Sequence, residues 1–257
     1  MTDEDLLELA SGLVVQAAAV ILRIRARGFD VTRKADRSVV TEADHAAEAV
    51  VTAGLLKAAP AIPVIAEEAA GKGAVFVVSP CFWLVDPLDG TREFSDGNDD
   101  FAVNIGLVRD GLVVLGAVGV PATGEVFGGI VGKGAWKRLG GVQTPVVARR
   151  VPPEGLTVLA SRHHGDPERL NSFLSGRTVA KTVNYGSSLK FCRLAEGLAD
   201  LYPRFGRTME WDTAAPQAVL EAAGGTVCTL DGAPLRYGKP EWENPHFVCT
   251  GIPGTAR

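Results

Sequence analysis

Two carboxylates three positions apart form the part of this sequence best suited to chemistry. Asp86 and Asp89 lie in residues 86–91, which read Asp-Pro-Leu-Asp-Gly-Thr and directly follow a short apolar run. The intervening proline restricts the backbone and Gly90 permits a tight turn, so that both carboxylates and the Leu88 carbonyl can face one point. Hard cations such as Mg²⁺ prefer such an all-oxygen set. The same residue types also occur in plain turns, and the segment alone leaves both interpretations open.

Three further acidic residues are candidates for the same centre. Glu67 belongs to a Glu-Glu pair that follows the apolar run 62–66, where paired acids are more often solvated surface. Asp212 is placed to cap the helix that follows it, which would bring a carboxylate to the positive end of a helix, where phosphate also binds. Asp44 has the same two interpretations, as a capping acid or a catalytic one.

Predicted helices and strands must position these acids. Apolar spacing predicts one helix over residues 3–26 and a second over 41–57. Short turns join three predicted strands into an antiparallel meander that follows a first strand: 82–85, then 101–108, 112–120 and 126–131. Beyond Pro152-Pro153, strand-like and helix-like segments alternate, which favours an α/β half. We predict an N-terminal α+β part, 1–152, with most metal ligands, and a C-terminal α/β part, 153–257, that completes the substrate site.

The composition of the 257-residue chain argues against several classes of protein. Apolar residues make up 46% and charged residues 22%, as in a folded globular protein rather than a disordered one. A net charge of −4 disfavours binding of a nucleic acid polymer through its backbone. The apolar run 13–22 is about half the ~20 residues that a membrane span needs. We therefore expect a soluble cytoplasmic protein without a membrane span.

The order of the acidic elements resembles a known superfamily. Asp44 in Val-Thr-Glu-Ala-Asp, then Glu67, then 86–91, then Trp211-Asp212 and the Gly-Gly pair at 224–225 follow one another as in the lithium-sensitive, Mg²⁺-dependent phosphomonoesterases. That superfamily includes inositol monophosphatase and fructose-1,6-bisphosphatase, and the resemblance spans nearly the whole chain. It implies an α/β (α+β) fold built as a layered α-β-α-β-α sandwich, a small phosphomonoester substrate, two or three Mg²⁺ ions and a possible homodimer.

A narrower resemblance lies between residues 185 and 206. The segments that carry it are Tyr-Gly-Ser-Ser-Leu-Lys-Phe-Cys at 185–192, Ala-Glu-Gly at 195–197, Leu-Tyr-Pro-Arg-Phe-Gly at 201–206 and Arg-Glu-Phe at 92–94. They resemble the bacterial 3′(2′),5′-bisphosphate nucleotidases. The resemblance implies removal of the 3′-phosphate from adenosine 3′,5′-bisphosphate, or from its sulfated form, in sulfur assimilation. Residues 95–100 depart from that branch because they are more acidic than its pattern.

The resemblance also implies roles for single residues. One Mg²⁺ would be held by Glu67, Asp86 and the Leu88 carbonyl, and a second by Asp86, Asp89 and Asp212. Thr91 and Asp44 resemble the pair that orients or deprotonates the attacking water, a role that Glu67 could share. Substrate contacts are implied for Leu88, Asp89, Gly90, Thr91, His164, Ser187, Lys190, Arg204 and Asp212.

Two alternatives to a bisphosphate nucleotidase stay open. The first is an inositol monophosphatase, which the nucleotidase-like pattern of residues 185–206 disfavours. The second is a catalytically inactive relative that binds metal and anion. An inactive relative usually lacks at least one ligand, whereas all the acids that the resemblance implies are present here.

Overall fold

The structure is a computed structural model that describes residues 1–33, 39–74, 76, 79–162 and 166–252. The helices in these ranges are α1 (Asp3–Arg27), α2 (Glu42–Ala58), α3 (Glu67–Gly71), α4 (Thr91–Ser95), α5 (Pro167–Leu174), α6 (Leu189–Ala195) and α7 (Glu210–Ala222). The strands are β1 (Val31–Arg33), β2 (Val39–Thr41), β3 (Val64–Ala66), β4 (Cys81–Asp89), β5 (Ala102–Arg109), β6 (Leu112–Val120), β7 (Glu125–Ile130), β8 (Gly134–Leu139), β9 (Val142–Val146), β10 (Leu156–Ser161), β11 (Val179–Tyr185), β12 (Leu201–Arg204), β13 (Thr226–Thr229) and β14 (Phe247–Thr250).

A seven-stranded sheet forms the centre of the N-terminal part. Its strands follow chain order from β3 to β9, with β3 parallel to β4 and every later pair antiparallel. The predicted meander is confirmed, but it continues through β8 and β9, which the sequence did not indicate. β8 is only partly buried, and β9 is a largely exposed edge strand that contains Pro145, so neither shows the apolar alternation of a half-buried strand.

The two faces of this sheet bury different side chains. Trp83 and Val85 belong to a core shared with α1 and α2. Phe82 and Leu84 point the other way, into a core shared with α6 and α7. This alternation follows from the two-residue period of a strand, and it explains why β4 reads as a continuous apolar run.

A five-stranded sheet lies beyond α6 and α7. Its order is β11-β10-β12-β14-β13, with parallel pairing between β10 and each of its neighbours. Leu170, Phe173 and Leu174 of α5 pack on its outer side. The layers therefore run α1/α2, first sheet, α6/α7, second sheet, α5, which is the predicted α-β-α-β-α sandwich. The chain passes between sheets at residues 147–155, yet α7 packs on the first sheet, and the division into two domains stays a prediction.

Glycines let α7 lie unusually close to the first sheet. A Cβ added at Gly106 would lie 2.6 Å from the Ala215 nitrogen, and one at Gly116 would lie 2.2 Å from the Ala215 oxygen. Side chains at these positions would push the helix outward. The close approach matters because the first turn of α7 carries Asp212.

Helix α1 is long and apolar enough to cross a membrane by length and composition. Its buried residues, which include Leu13 and Ile21, pack with α2 and the first sheet, as in the core helix of a globular protein. Thr2 and Asp5 form a capping box, with the Thr2 amide donating to Asp5 Oδ2 at 2.8 Å and the Asp5 amide donating to Thr2 Oγ1 at 3.2 Å.

Candidate active site

A pocket of about 640 Å³ opens where the end of β4 meets the first turns of α4, α6 and α7. Its lining contains most of the residues predicted for the site: Glu67, Asp86, Leu88, Asp89, Gly90, Thr91, Ser187, Lys190, Arg204 and Asp212. Asp44 lies behind Thr91, and His164 is outside the described residues. We call Glu67, Asp86, Asp89 and Asp212 the carboxylate wall, and Ser187, Lys190 and Arg204 the cationic wall.

The turn after β4 places two members of the carboxylate wall. The Leu88 amide donates to Asp86 Oδ1 at 3.0 Å, which bends the chain over the buried Asp86 side chain. Gly90 then adopts a φ of 90° and begins α4. A Cβ at Gly90 would lie 2.8 Å from the Asp100 carbonyl oxygen, so both the backbone conformation and the space require glycine.

Asp44 caps α2 and also contacts the pocket-lining Thr91. Its Oδ2 accepts the Thr41 amide at 2.7 Å and the Thr41 hydroxyl at 2.8 Å, which completes the cap of α2. Its Oδ1 accepts the Thr91 hydroxyl at 2.9 Å. The Leu88 carbonyl lies 3.0 Å from the same hydroxyl, so one proton is shared between two acceptors. Burial raises the pKa of Asp44, while its bonds from Thr41 and Thr91 oppose that rise.

Two further acids are held by amides near helix ends. Asp212 Oδ2 accepts the Met209 amide at 2.9 Å and caps α7. Asp89 Oδ2 accepts the Ser187 hydroxyl at 2.7 Å and also the Ser188 amide. Asp89 therefore contacts the opposite wall directly.

The charges of the carboxylate wall act on one another. Burial, followed by the charges of Glu67, Asp89 and Asp212, raises the pKa of Asp86 well above its usual value. Burial, Asp89 and Glu67 do the same to the pKa of Asp212. Within the described ranges no three His, Cys, Asp or Glu side chains converge closely enough to form a complete metal site by themselves. The donor set nevertheless fits a hard divalent cation, because it is all oxygen and its mutual repulsion is what such a cation would offset.

The cationic wall is unusually buried for its residue types. Lys190 is 3% exposed, and burial lowers its pKa to about 8. Its Nζ donates to the Ser187 carbonyl at 2.5 Å and to the Tyr185 carbonyl at 3.1 Å. Arg204 donates from Nη2 to the Arg207 carbonyl at 2.8 Å. Its Nε is buried and has no hydrogen-bond partner among the described residues.

Sequence reasoning missed several residues that complete the pocket. Ser188, Arg207 and Thr208 also line it. The Ser188 hydroxyl donates to Asn104 Oδ1 at 2.9 Å, which anchors the start of α6 to the first sheet. Ser188 adjoins a predicted residue and was within reach of sequence reasoning. Asn104 reads as one more residue of a strand, and no local signal marks it.

Comparison with known proteins identifies the family. The sequence profile described as the inositol monophosphatase family matches residues 2–249. The chain belongs to that family. It is 45% identical over 223 residues to a protein of Escherichia coli O157:H7 named 3′(2′),5′-bisphosphate nucleotidase CysQ, covering 86% of this chain and 89% of the relative. The CysQ of Salmonella typhimurium is 42% identical over 248 residues, covering 95% of this chain and 99% of the relative.

A solved structure agrees with these sequence relatives. The fold matches the crystal structure of CysQ from Bacteroides thetaiotaomicron, a bacterial member of the inositol monophosphatase family, with a TM-score of 0.81. The two chains are 33% identical, and the match covers 97% of this chain and 98% of the other. The resemblance and the α/β fold class expected from the sequence are both confirmed.

Proposed function

We propose that this chain is a Mg²⁺-dependent 3′(2′),5′-bisphosphate nucleotidase, which removes the 3′-phosphate from adenosine 3′,5′-bisphosphate or its sulfated form. The observation that carries the proposal is that a wall of carboxylates and a wall with two buried cations face one pocket. The relatives that bear this name match over nearly the whole chain. They agree with the branch predicted from residues 185–206.

The carboxylate wall supplies the places for the metals. Glu67, Asp86 and the Leu88 carbonyl would hold one Mg²⁺, and Asp86, Asp89 and Asp212 a second. Bound divalent ions neutralise the phosphate, lower the pKa of a bound water and stabilise the leaving oxygen. A phosphomonoester dianion facing four carboxylates without cations would be repelled, so the charge of the wall itself favours a metal-dependent reaction.

Thr91 and Asp44 support a proton-handling role beside the metals. Thr91 lines the pocket, and its hydroxyl donates to the buried Asp44 Oδ1. An attacking water that gives its proton to Thr91 Oγ1 would release the threonine proton toward Asp44, so that the water becomes more nucleophilic. Asp44 is fixed for this task by its two bonds from Thr41, which keep its Oδ1 turned toward Thr91.

The cationic wall suits a substrate with more than one anionic group. One phosphate of a bisphosphate nucleotide would bind beside the carboxylate wall, where the metals are proposed. The negative charge of the second phosphate needs cations within the same pocket. Lys190 and Arg204 are the buried cations that line it. An inositol monophosphate carries no second phosphate and would gain less from them. Cytoplasmic location, a part in sulfur assimilation, lithium sensitivity and a homodimer belong to the same proposal.

The test is phosphate release from adenosine 3′,5′-bisphosphate and from inositol 1-phosphate, each with Mg²⁺ and with chelator. We expect a preference for the nucleotide that is lost on chelation. Preference for inositol phosphate would keep the metal assignment and overturn the substrate assignment. Release that continues in chelator would overturn the metal assignment, and no release from either substrate would favour an inactive binding protein.

A further inference from the structure

One carboxylate in the acidic loop at residues 96–100, that of Asp100, joins this loop to two other segments of the molecule. Asp100 Oδ2 accepts the Gly186 amide at 3.0 Å and Arg162 Nη2 at 2.6 Å. The Asp100 side chain is 20% exposed and the Arg162 side chain 41%. A charged acceptor that is mostly buried makes stronger hydrogen bonds than a neutral one, so this junction holds its partners firmly.

The Gly186 contact fixes the segment that leads into α6. A Cβ at Gly186 would lie 2.7 Å from Glu93 Oε1 and 2.8 Å from Asp100 Cβ, so the segment lies directly against the acidic loop and α4. The next residue, Ser187, has a φ of 55°, a conformation that non-glycine residues rarely adopt. Such a conformation persists where surrounding contacts hold it, and the Asp100 bond to the preceding amide is one of them.

The position of Ser187 in turn determines both walls of the pocket. Its hydroxyl donates to Asp89 on the carboxylate wall, and its carbonyl accepts Lys190 Nζ on the cationic wall. A displacement of residues 186–187 would therefore move the Lys190 ammonium relative to the carboxylate wall. Asp100 does not line the pocket, so it would act through these residues rather than by touching substrate.

The Arg162 contact reaches the pocket by a second route. Ser161, at the end of β10, lines the pocket, and Arg162 follows it directly. Asp100 thus anchors the end of β10 and the start of α6 to the same loop. Both segments lie after residue 153 in the chain, whereas Asp100 lies shortly after the turn at residues 86–91, which carries Asp86 and Asp89.

The loop has its own support, which does not depend on Asp100. Arg25 of α1 donates to the Gly97 carbonyl at 2.8 Å and to the Asn98 carbonyl at 3.1 Å, and it pairs with Asp99 at 2.8 Å. The Asp99 side chain is 69% exposed. Asp99 therefore offers a control substitution with the same change of charge in the same loop, and its side chain has no hydrogen bond or ion pair with the described residues 161–162 and 166–190.

We propose that Asp100 is a positioning residue for nucleotide selectivity, which ties the acidic loop to Gly186 and Arg162 and so sets the distance between the two walls. The inference rests on the proposed function for its substrate. It gives a structural purpose to the acidic residues that distinguish this loop from the nucleotidase pattern.

The test compares Asp100→Ala, Asp100→Asn, Arg162→Gln and the control Asp99→Asn in the full chain with Mg²⁺. Asp100→Ala removes both bonds, and we expect it to raise KM for adenosine 3′,5′-bisphosphate about tenfold, with a much smaller change in kcat and in KM for inositol 1-phosphate. Asp100→Asn keeps an oxygen that can accept the Gly186 amide, so it should raise the same KM only about threefold. Arg162→Gln leaves the Asp100–Gly186 bond intact and should raise this KM by a similar factor. Asp99→Asn should resemble the wild type.

Hydrogen exchange without substrate separates this inference from the proposed function. We expect faster exchange over residues 186–190 in Asp100→Ala, or in Asp100→Asn if the alanine variant does not fold, and unchanged exchange in Asp99→Asn. If the wild type ignores the nucleotide but this exchange difference is present, the function fails and the positioning role stands. Unchanged exchange, a nucleotide KM equal to that of Asp99→Asn, or equal losses on both substrates would overturn the inference.

Discussion

The two walls of the pocket are built in different ways. Local backbone amides hold two of the acids: Asp44 accepts from Thr41, three positions away, and Asp212 accepts from Met209, also three away. Local backbone carbonyls hold the two cations: Lys190 donates to the Ser187 and Tyr185 carbonyls, and Arg204 donates to that of Arg207. The Ser187–Asp89 bond joins residues 98 positions apart. Backbone amides therefore orient these acids and backbone carbonyls orient the cations, whereas the contact between the walls forms only once residues distant in sequence have packed together.

The opposite charges of the walls predict different kinetic roles. The carboxylate wall, which would hold the metals, should control the rate, and the cationic wall, which would bind further anionic groups, should control selectivity. Substitutions in the first should lower kcat for every phosphomonoester. Substitutions in the second should separate one substrate from another through KM. A variant of either wall that produced the opposite kinetic pattern would break the comparison.

The largest effect is expected for Asp86→Asn. Loss of the carboxylate shared by both proposed metals should lower kcat by about 10³-fold, because the charge that holds the cations in the site is removed. The fold should survive, since a neutral amide removes the burial of charge and the repulsion from neighbouring acids that together raise the pKa of the native group. Phosphate release with Mg²⁺ and the melting temperature in chelator check both expectations.

Glu68→Gln is a suitable control for that experiment. Glu68 is also buried, but it does not line the pocket. We expect it to retain kcat. Normal turnover by Asp86→Asn with Mg²⁺ would contradict the metal assignment, and an equal loss in both variants would mean that buried charge, rather than metal binding, explains the result.

A smaller effect on rate is expected for Thr91→Val. Valine keeps the shape of threonine but removes the hydroxyl that joins the pocket to Asp44 and the Leu88 carbonyl. We expect kcat to fall about 10²-fold, the usual range for a lost proton-transfer group, with KM nearly unchanged. Thr91→Ser retains the hydroxyl and should recover most of the rate. Equal activity of the serine and valine variants would contradict a role that depends on the hydroxyl.

The contrast between local and long-range bonds also decides how much of the molecule can be predicted from the sequence. The cap of α2 by Thr41 with Asp44 at its third position is visible locally, because both partners lie within four residues. The bond from Asp44 to Thr91 spans 47 positions, and no local pattern contains it. Family resemblance, rather than periodicity, brought the two residues together. Their chemical roles stay predictions that the substitutions above test.

Prediction of the helices and strands from the sequence is limited in the same way to features that are encoded locally. Helices α1 and α2 were predicted to within a residue or two, because they carry apolar stripes and capping residues. Strands β13 and β14 were not predicted, since each has only four residues and pairs with a strand distant in sequence. Short strands gain their stability from tertiary pairing, which the local sequence does not encode. The layer order consequently followed from resemblance and not from the residues alone.

On the cationic wall, Lys190→Ala should change selectivity more than rate. Removing the buried ammonium should raise KM for adenosine 3′,5′-bisphosphate about tenfold, with less effect on inositol 1-phosphate. Side-by-side kinetics on the two substrates measure the difference. Equal effects on both would mean that Lys190 holds the Ser187 and Tyr185 carbonyls without sensing the nucleotide.

The pH dependence of KM sharpens that prediction. Burial lowers the pKa of Lys190 to about 8, so its positive charge is present below that pH and is lost as the pH rises through it. Affinity for the anionic nucleotide should therefore weaken from pH 7 to 9 in the wild type. The Lys190→Ala variant should lack this dependence. A rise of KM that persisted in the variant would assign the titration to another group.

The smallest effect is expected at Ser187, where the two walls meet. Ser187→Ala removes the hydroxyl bond to Asp89, but the Ser188 amide still donates to the same oxygen, so KM for the nucleotide should rise only about threefold. Ser187→Gly removes the same bond and also relieves the φ of 55°, for which alanine is poorly suited. Kinetics and melting temperatures of the two variants separate bond from strain. If alanine keeps the wild-type KM while glycine, which frees the backbone, raises it, the backbone conformation rather than the hydroxyl fixes the positions of the two walls.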